Sequence, residues 1–440
     1  MKKTKKIVAA FLCVAMLFGI SPHNINFNEF IIFKAFAAEY SDDYFVYNYE
    51  VDSAQNATIT GVYPLNDTDT LNIPESIDGY TVVSIDLLNM NYDYYKSIVK
   101  VVIPSTVKTV SEHAFEMCPY VTQLTINSKI WDSIYVSAPS LKIINITSKV
   151  ETIVSGYISS SVPLDEVNYD YAVLDNIFSA PYISLLNIGE NVEAIESYFD
   201  TKSINEIYVE SNNQHFSNDS NGVLFNKEKT ILYNYPGKNM LEKYVIPDGV
   251  KIIKNCFSED LTEITISNTV TAIDSHAFSN SPHLETVYCS DNIESIGSYA
   301  FGNCPLLKLV VLPDDKPIMI DSNTFDGTLI YEGLPSDMAD ENIIWDDDVL
   351  YIYNHAVASK ENTAYVIMQE GTKSIANSLF SGSETLESVY IPNSVGYLGS
   401  NAFENCIKLS SISIPGSIKT IGSDTFSGCS SLKTVKIRDG

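Results

Sequence analysis

The stretch "IPNSVGYLGSNAFENCIKLSSISIPGSIKTIGSDTFSGCSSLKTVKI", residues 391–437, says nearly the same thing twice. Ile391, Ile414 and Ile437 stand 23 residues apart, and Phe403 and Phe426, like Cys406 and Cys429, keep that interval. The frame extends backwards. "IANSLFSGSETLESVYI" places Phe380 and Leu386 one period earlier, and "SHAFSNSPHLETVYCSDNIESIGSYAFGNCPLLKLVVL" places Phe278 and Phe301 a further 23 apart. A looser copy at 103–126, "IPSTVKTVSEHAFEMCPYVTQLTI", carries Phe115. Self-similarity at a period of roughly 20 to 50 residues specifies a solenoid, propeller or array.

Within a copy the apolar positions fall as Ile414, Ile418, Ile421, Phe426, Leu432, Val435 and Ile437, with Pro415 after the first and Gly422 in mid-repeat. Leu432, Val435 and Ile437 have the Leu-x-x-Leu-x-Leu cadence of a leucine-rich repeat strand, apolar residues inward and the intervening ones outward. Pro415 lacks an N–H and ends the strand. "SDTFSGC" suits a short helical turn capped by Ser423 or Asp424 above a buried Phe426. No coil is stable alone. Each buried large side chain contributes roughly 1.5 to 3 kcal/mol, against about 1 to 2 kcal/mol per residue for ordering the backbone, so stacked coils must bury one another.

Counting the cadence gives about twelve coils of about 23 residues, with strands near 98–103, 121–126, 141–146, 183–188, 204–209, 261–266, 284–289, 307–312, 328–331, 386–391, 409–414 and 432–437. The fold expected is a repeat solenoid with a parallel sheet on one side and short helical turns on the other. Residues 1–38 read as a secretory signal: Lys2, Lys3, Lys5 and Lys6 precede an apolar run from Ile7 to Ile20, and "KAFAAE" offers cleavage after Ala37 or Ala38. The apolar run is short for a membrane span of about 20 residues. Residues 39–74 alternate like two strands and form an N-terminal cap, and 75–440 form the solenoid. Hairpin inserts are expected near 210–243 and 332–363, around "GVLFNKEKTILYNY" and "WDDDVLYIYNHAVASKENTAYVI". Ending at "KIRDG" after a strand, the chain leaves an edge that a further coil or a partner would cover.

The pattern Ile-Pro, Val, Ile-Gly, Ala-Phe, Cys, Leu, Ile in "IPNSVGYLGSNAFENCIKLSSISI" resembles the BspA-like leucine-rich repeat proteins of bacterial surfaces. "DSNGVLFNKEKTILYNYP" and "ATITGVYPLNDTDTLNIPESIDGYTVVSI" are similar to that family's usual embellishments. The resemblance covers roughly residues 45–440, strongest in 244–312 and 365–437, and weakens at 127–183, where Ala-Phe-x-x-Cys is absent. It implies surface or secreted adhesion and interaction modules.

Cys118, Cys304, Cys406 and Cys429 all sit three residues after the repeat phenylalanine, a slot filled by Ser281 and Ser383 elsewhere. A slot shared by cysteine and serine asks for a small residue. Equivalent residues project in parallel from coils that splay on that side, which disfavours the Cβ separation of about 3.8 Å that a disulfide needs, so buried thiols are expected. No pair has the spacing of a zinc site.

Catalytic signatures are absent: there is no HExxH, GxSxG or phosphate-cradling glycine loop, and the six histidines are dispersed, His113 and His276 lying just before Ala-Phe. "WDDDV" at 345–349 and "NDSNG" at 218–222 hold oxygen ligands for calcium, or serve as turns. The enzymatic alternative is a parallel β-helix acting on polysaccharide, which needs carboxylates recurring at one outward position. Glu206 and Glu263 share such a column, whereas Thr286, Leu309, Ser388, Ser411 and Thr434 fill the rest. No cofactor is implied.

The outward column flanking the last apolar position reads Thr125, Asn145, Asn187, Tyr208, Thr265, Tyr288, Val311, Tyr390, Ser413, Lys436. Tyr208, Tyr288 and Tyr390, with Glu206 and Glu263, are the candidate ligand face, because tyrosine offers a large contact area with a polar tip. Strand propensity alone also places tyrosine there. The net charge of −28 becomes −32 when residues 1–38 take five lysines and one glutamate with them. Such a surface repels phosphate backbones and anionic lipid, leaving an extracellular protein or glycan as partner. A cell-envelope scaffold without a specific ligand is the second reading.

Overall fold

The computed structural model describes residues 38–86, 97–112, 114–116, 118–153, 155–174, 177–195, 204–237, 241–256, 258–333 and 340–439. The chain winds as a parallel β-solenoid. Its main ladder comprises fifteen rungs in three sheets. Seven rungs form the first: Thr70–Asn72, Lys100–Ile103, Gln123–Ile126, Ile143–Ile146, Leu164–Tyr169, Ile183–Ile188 and Ile204–Val209. Lys243–Val245, Glu263–Thr265, Thr286–Tyr288 and Leu309–Val311 form the second; Tyr365–Ile367, Ser388–Tyr390, Ser411–Ile414 and Thr434–Ile437 form the third.

This corrects the count of about twelve at two kinds of place. Thr328–Tyr331, expected as a strand, belongs to the single α-helix among the described residues, Leu329–Glu332: the Thr328 hydroxyl accepts from the Tyr331 N–H and caps one helical turn, which Gly333 ends at φ 104°. Four rungs escaped the cadence. They read Thr68-x-x-Leu71-x-Ile73, Leu164-x-x-Val167-x-Tyr169, Leu241-x-x-Tyr244-x-Ile246 and Thr363-x-x-Val366-x-Met368, with threonine, tyrosine or methionine in slots usually aliphatic. Those side chains are nonetheless buried where they count: Tyr169, Tyr244 and Met368 all lie in the core.

A second, narrower ladder follows the turn after each main rung, for example Ile252–Ile253, Ala272–Ile273, Ser295–Ile296 and Met319–Ile320, paired in parallel. Beyond it lies the phenylalanine segment, where the structure departs from the expected helical turns. Two residues flanking most of the repeat phenylalanines adopt left-handed backbone: His276 and Asn280 around Phe278, Tyr299 and Asn303 around Phe301, Asn401 and Asn405 around Phe403. Left-handed residues stop a helix from propagating. The freed N–H groups turn to the next coil instead: Phe278 N–H to Ala300 O at 2.7 Å, Asn280 N–H to Gly302 O at 2.8 Å, Phe403 N–H to Thr425 O at 3.0 Å. The turns thus form a third hydrogen-bonded ladder.

Each of the three main sheets is preceded by an antiparallel three-stranded meander whose last strand pairs in parallel with the narrow ladder. They are Ala38–Ser41, Phe45–Val51 and Asn56–Pro64; Phe216–Asn218, Leu224–Asn226 and Ile231–Asn234; and Ile343–Asp346, Val349–Ile352 and His355–Ser359. The expected cap and the two inserts are therefore one construction used three times. Thr70–Asn72, placed in the cap by sequence, pairs with Lys100–Val102 as the first rung.

Inside, the repeat phenylalanines form files. Phe278 stacks on Phe301 at 5.2 Å and Phe301 on Phe325 at 5.6 Å; Phe380 stacks on Phe403 at 5.4 Å and Phe403 on Phe426 at 5.6 Å, all within 15° of parallel. Phe115 is buried as well. The mid-repeat glycine admits this close stacking. A Cβ on Gly422 would lie 2.2 Å from the Ser400 nitrogen, and one on Gly399 2.5 Å from the Ala376 carbonyl oxygen.

Candidate functional site: the outward face of the main ladder

Alternation along each rung sends every second residue outward beside a buried neighbour, and the parallel register aligns these residues into columns. Along the first sheet one column runs Asn72, Val102, Thr125, Asn145, Asn168, Asn187, Tyr208. The second sheet continues it as Val245, Thr265, Tyr288, Val311, and the third as Ile367, Tyr390, Ser413, Lys436.

Tyr208, Tyr288 and Tyr390 are all exposed on this face. The structure does not bring them together, however: each belongs to a different sheet, with other rungs between. Tyr390 is held in place, its hydroxyl donating to Glu370 Oε1 at 3.1 Å and the Arg438 guanidinium lying 5.3 Å from its ring centroid. Glu206 is exposed beside Tyr208. Glu263 pairs with its register neighbour Lys243 at 2.8 Å. In the acidic column Leu185 stands between Glu166 and Glu206, and Glu263 lies between Lys243 and Thr286, so no two carboxylates are adjacent there.

Sequence reading missed the residues at the sheet heads. Val245 is 64% exposed, Tyr365 68% and Ile367 80%, because a first rung has a ladder neighbour on one side only. It also missed Asn168, which links Asn145 to Asn187 and lay in an unrecognised rung. Had Leu164-x-x-Val167-x-Tyr169 been read as a strand, the asparagine column would have been visible.

Cys118, Cys304 and Cys406 lie in the core, and Cys429 packs against it. All six described cysteines are free. Three of the four repeat thiols donate to the phenylalanine carbonyl of the preceding coil: Cys304 to Phe278 at 3.1 Å, Cys406 to Phe380 at 3.2 Å and Cys429 to Phe403 at 2.9 Å. Burial pushes the thiols of Cys118, Cys304 and Cys406 up to about 12, far from the range of a reactive thiolate. His276 stacks on Tyr299 with ring centroids 5.4 Å apart, and His113 lies outside the described residues.

The two acidic loops are engaged as turns. Asp219 Oδ1 accepts from the Asn221 and Val223 N–H groups at 2.9 and 3.0 Å, and its Oδ2 accepts from the Tyr244 hydroxyl at 2.9 Å. Asp347 is left-handed, at φ 51°, between the strands Ile343–Asp346 and Val349–Ile352. Among the described residues no three His, Cys, Asp or Glu side chains converge as metal ligands, and no helix is long and apolar enough to cross a membrane.

Fold and face together define a leucine-rich-repeat solenoid. The chain matches the family model for the BspA type leucine rich repeat region over residues 86–199, 128–222, 230–334 and 341–440, and it belongs to that family. A comparison with curated proteins finds no match. Among solved structures, the chain is similar to a leucine-rich repeat protein from Eubacterium ventriosum, at 21% identity over 91% of this chain and 96% of that one, TM-score 0.45. It is also similar to the pneumococcal vaccine antigen PcpA, at 17% identity over 91% and 94%, TM-score 0.33. A leucine rich cell surface protein from Faecalibacterium prausnitzii matches at 19% identity over 91% and 94%, TM-score 0.30.

Proposed function

We propose that the protein is a non-catalytic extracellular interaction module that holds a protein or glycan ligand on the outward face of its main ladder. One observation carries this reading: Tyr208, Tyr288 and Tyr390 project outward from the ladder while the residues flanking them in sequence, Ile207 and Val209, Val287, and Val389 and Ile391, are buried. Exposed tyrosine costs little conformational entropy on binding and contributes both apolar area and a hydroxyl. Membership of a repeat family that serves interaction supports the reading, as does the net charge of −28, which repels nucleic acid and anionic membranes. Residues 1–38, outside the described part of the chain save Ala38, supply the export signal in this account.

The test is binding of the purified chain to a panel of matrix proteins and glycans, repeated with Tyr208, Tyr288 and Tyr390 all replaced by serine. The expected result is loss of binding with unchanged thermal stability. Unchanged affinity in the triple variant retires the proposal.

A further inference from the structure

The first sheet presents something the other two lack. Thr125, Asn145, Asn168, Asn187 and Tyr208 are consecutive register partners. Their side chains are joined in a line: Asn145 Nδ2 donates to Thr125 Oγ1 at 3.2 Å, Asn168 Nδ2 to Asn145 Oδ1 at 2.7 Å, and Asn187 Nδ2 to Asn168 Oδ1 at 2.7 Å. Asn187 also donates to Glu166 Oε1 at 3.0 Å. The ladder fixes every amide in one orientation.

Those bonds leave capacity unused. A carboxamide has two N–H donors and two carbonyl lone pairs. Among the described residues, Asn145 and Asn168 each retain one donor and one lone pair, Asn187 retains its carbonyl, and the Tyr208 hydroxyl meets no partner. The array repeats at the parallel-strand spacing of about 4.8 Å. Beside it, the neighbouring outward column runs Gln123, Ile143, Glu166, Leu185, Glu206, with Ile143 and Leu185 alternating with polar and acidic side chains. A strip with regularly spaced amides, a flank that alternates aliphatic side chains with hydroxyl-accepting carboxylates, and a terminal tyrosine ring is complementary to a ribbon of sugar rings, which presents equatorial hydroxyls at its edges and C–H groups on its faces.

We propose that the outward face of the first sheet, along Thr125, Asn145, Asn168, Asn187 and Tyr208, binds a linear neutral glycan of equatorially linked pyranoses running along the solenoid axis, one ring to a rung. This rests on the interaction-module reading and names the ligand class for one of its three sheets. Such a ribbon advances per ring by nearly the rung spacing, so successive rings meet successive amides. An axially linked glycan coils away from a straight ladder. Charged glycans of the anionic kind are repelled by the surface as a whole.

The experiment is isothermal titration of the full chain with cellohexaose, chitohexaose and maltohexaose, repeated on Asn168→Thr, Asn187→Thr and Tyr208→Ser, with thermal unfolding recorded for each. Threonine suits a strand and retains a hydroxyl. Binding of cellohexaose or chitohexaose, and not of maltohexaose, is expected, weakened roughly fivefold by each lost amide. Preference for chitohexaose assigns the amides to its acetamido groups; equal binding of the two assigns them to the ring hydroxyls. Failure of both to bind, equal binding of maltohexaose, or unchanged affinity in the variants overturns the proposal. Should the asparagine variants melt early, Tyr208→Ser decides alone, since that side chain is exposed. A chain that binds matrix protein in a Tyr288- and Tyr390-dependent way but ignores all three oligosaccharides sinks this inference and leaves the broader reading standing.

Discussion

Phe403 and Phe426, 23 residues apart in sequence, stack with ring centroids 5.6 Å apart and planes within 3° of parallel. Phe403 also stacks on Phe380 at 5.4 Å, so its ring fills a space bounded by aromatic faces on both sides. Nothing small can fill that gap. Phe403→Ala is expected to cost about 3 to 5 kcal/mol and to uncouple the last two coils from the rest. Denaturant unfolding followed by hydrogen exchange checks this: early exchange confined to residues beyond 403 is expected, and a single transition at the wild-type midpoint argues against stacked coils.

Glycine at the Ile-Gly position answers to backbone proximity. Adding a Cβ at Gly422 brings it 2.2 Å from the Ser400 nitrogen, a backbone atom that cannot swing aside. Gly422→Ala is expected to destabilise by about 1 to 3 kcal/mol. At Gly382 nothing lies within 4 Å, so Gly382→Ala carries only the left-handed penalty of φ 77°, about 1 kcal/mol. Comparing the two midpoints separates steric approach from backbone conformation.

His355 gives the stability an acid limb. Its ring is fully buried where the third meander meets the second sheet's end, Nε2 lies 2.8 Å from the Pro313 carbonyl oxygen, and Nδ1 has no partner among the described residues. Burial pushes the imidazole down to about 4; the Pro313 carbonyl and Asp314 oppose that fall and Lys373 adds to it. The folded state therefore holds the neutral ring. Above pH 6.5, the ordinary value, the contribution is complete. As pH falls from there towards 4 the unfolded ring binds a proton that the folded ring refuses, and about 3 kcal/mol is lost. Stability measured between pH 7 and 4 should fall more steeply in the wild type than in His355→Gln; parallel curves contradict the assignment.

Serine already occupies the cysteine slot at Ser281 and Ser383. Cys406→Ser should change stability by no more than about 1 kcal/mol, with the hydroxyl taking over the bond to the Phe380 carbonyl. In the native wild type, iodoacetamide should leave Cys118, Cys256, Cys304 and Cys406 unmodified until denaturant is added, as read by mass spectrometry.

Much of this architecture is legible in the residues. The period fixes the phenylalanine files, Leu-x-x-Leu-x-Leu fixes inward and outward positions, and the shared Cys and Ser slot signals buried thiols. What escapes is physical in origin. A rung such as Lys243–Val245 buries Tyr244, whose hydroxyl needs the distant Asp219 as acceptor, a partner that no local cadence reveals. The asparagines and glycines two residues after each phenylalanine, Asn280, Asn303, Gly327, Gly382, Asn405 and Gly428, are a left-handed signature that argues against the helical turns. The common plan of the three meanders is hidden because their loops differ in length and their strands pair across the array. On the face itself, Tyr208, Tyr288 and Tyr390 are legible as outward residues, and the inserts expected near 210–243 and 332–363 already fall between them, whereas the parallel pairing of each insert's last strand with the narrow ladder arises from tertiary contacts that no local cadence reveals.

Tyrosine nitration with mass-spectrometric readout tests the inward and outward division of the ladder most directly. Tetranitromethane acting on the native chain should modify Tyr208 and Tyr288, which project outward, and spare Tyr169, Tyr235 and Tyr351, which lie in the core. Rapid nitration of Tyr169 or Tyr351 in the folded protein, or protection of Tyr208 without added ligand, would contradict it.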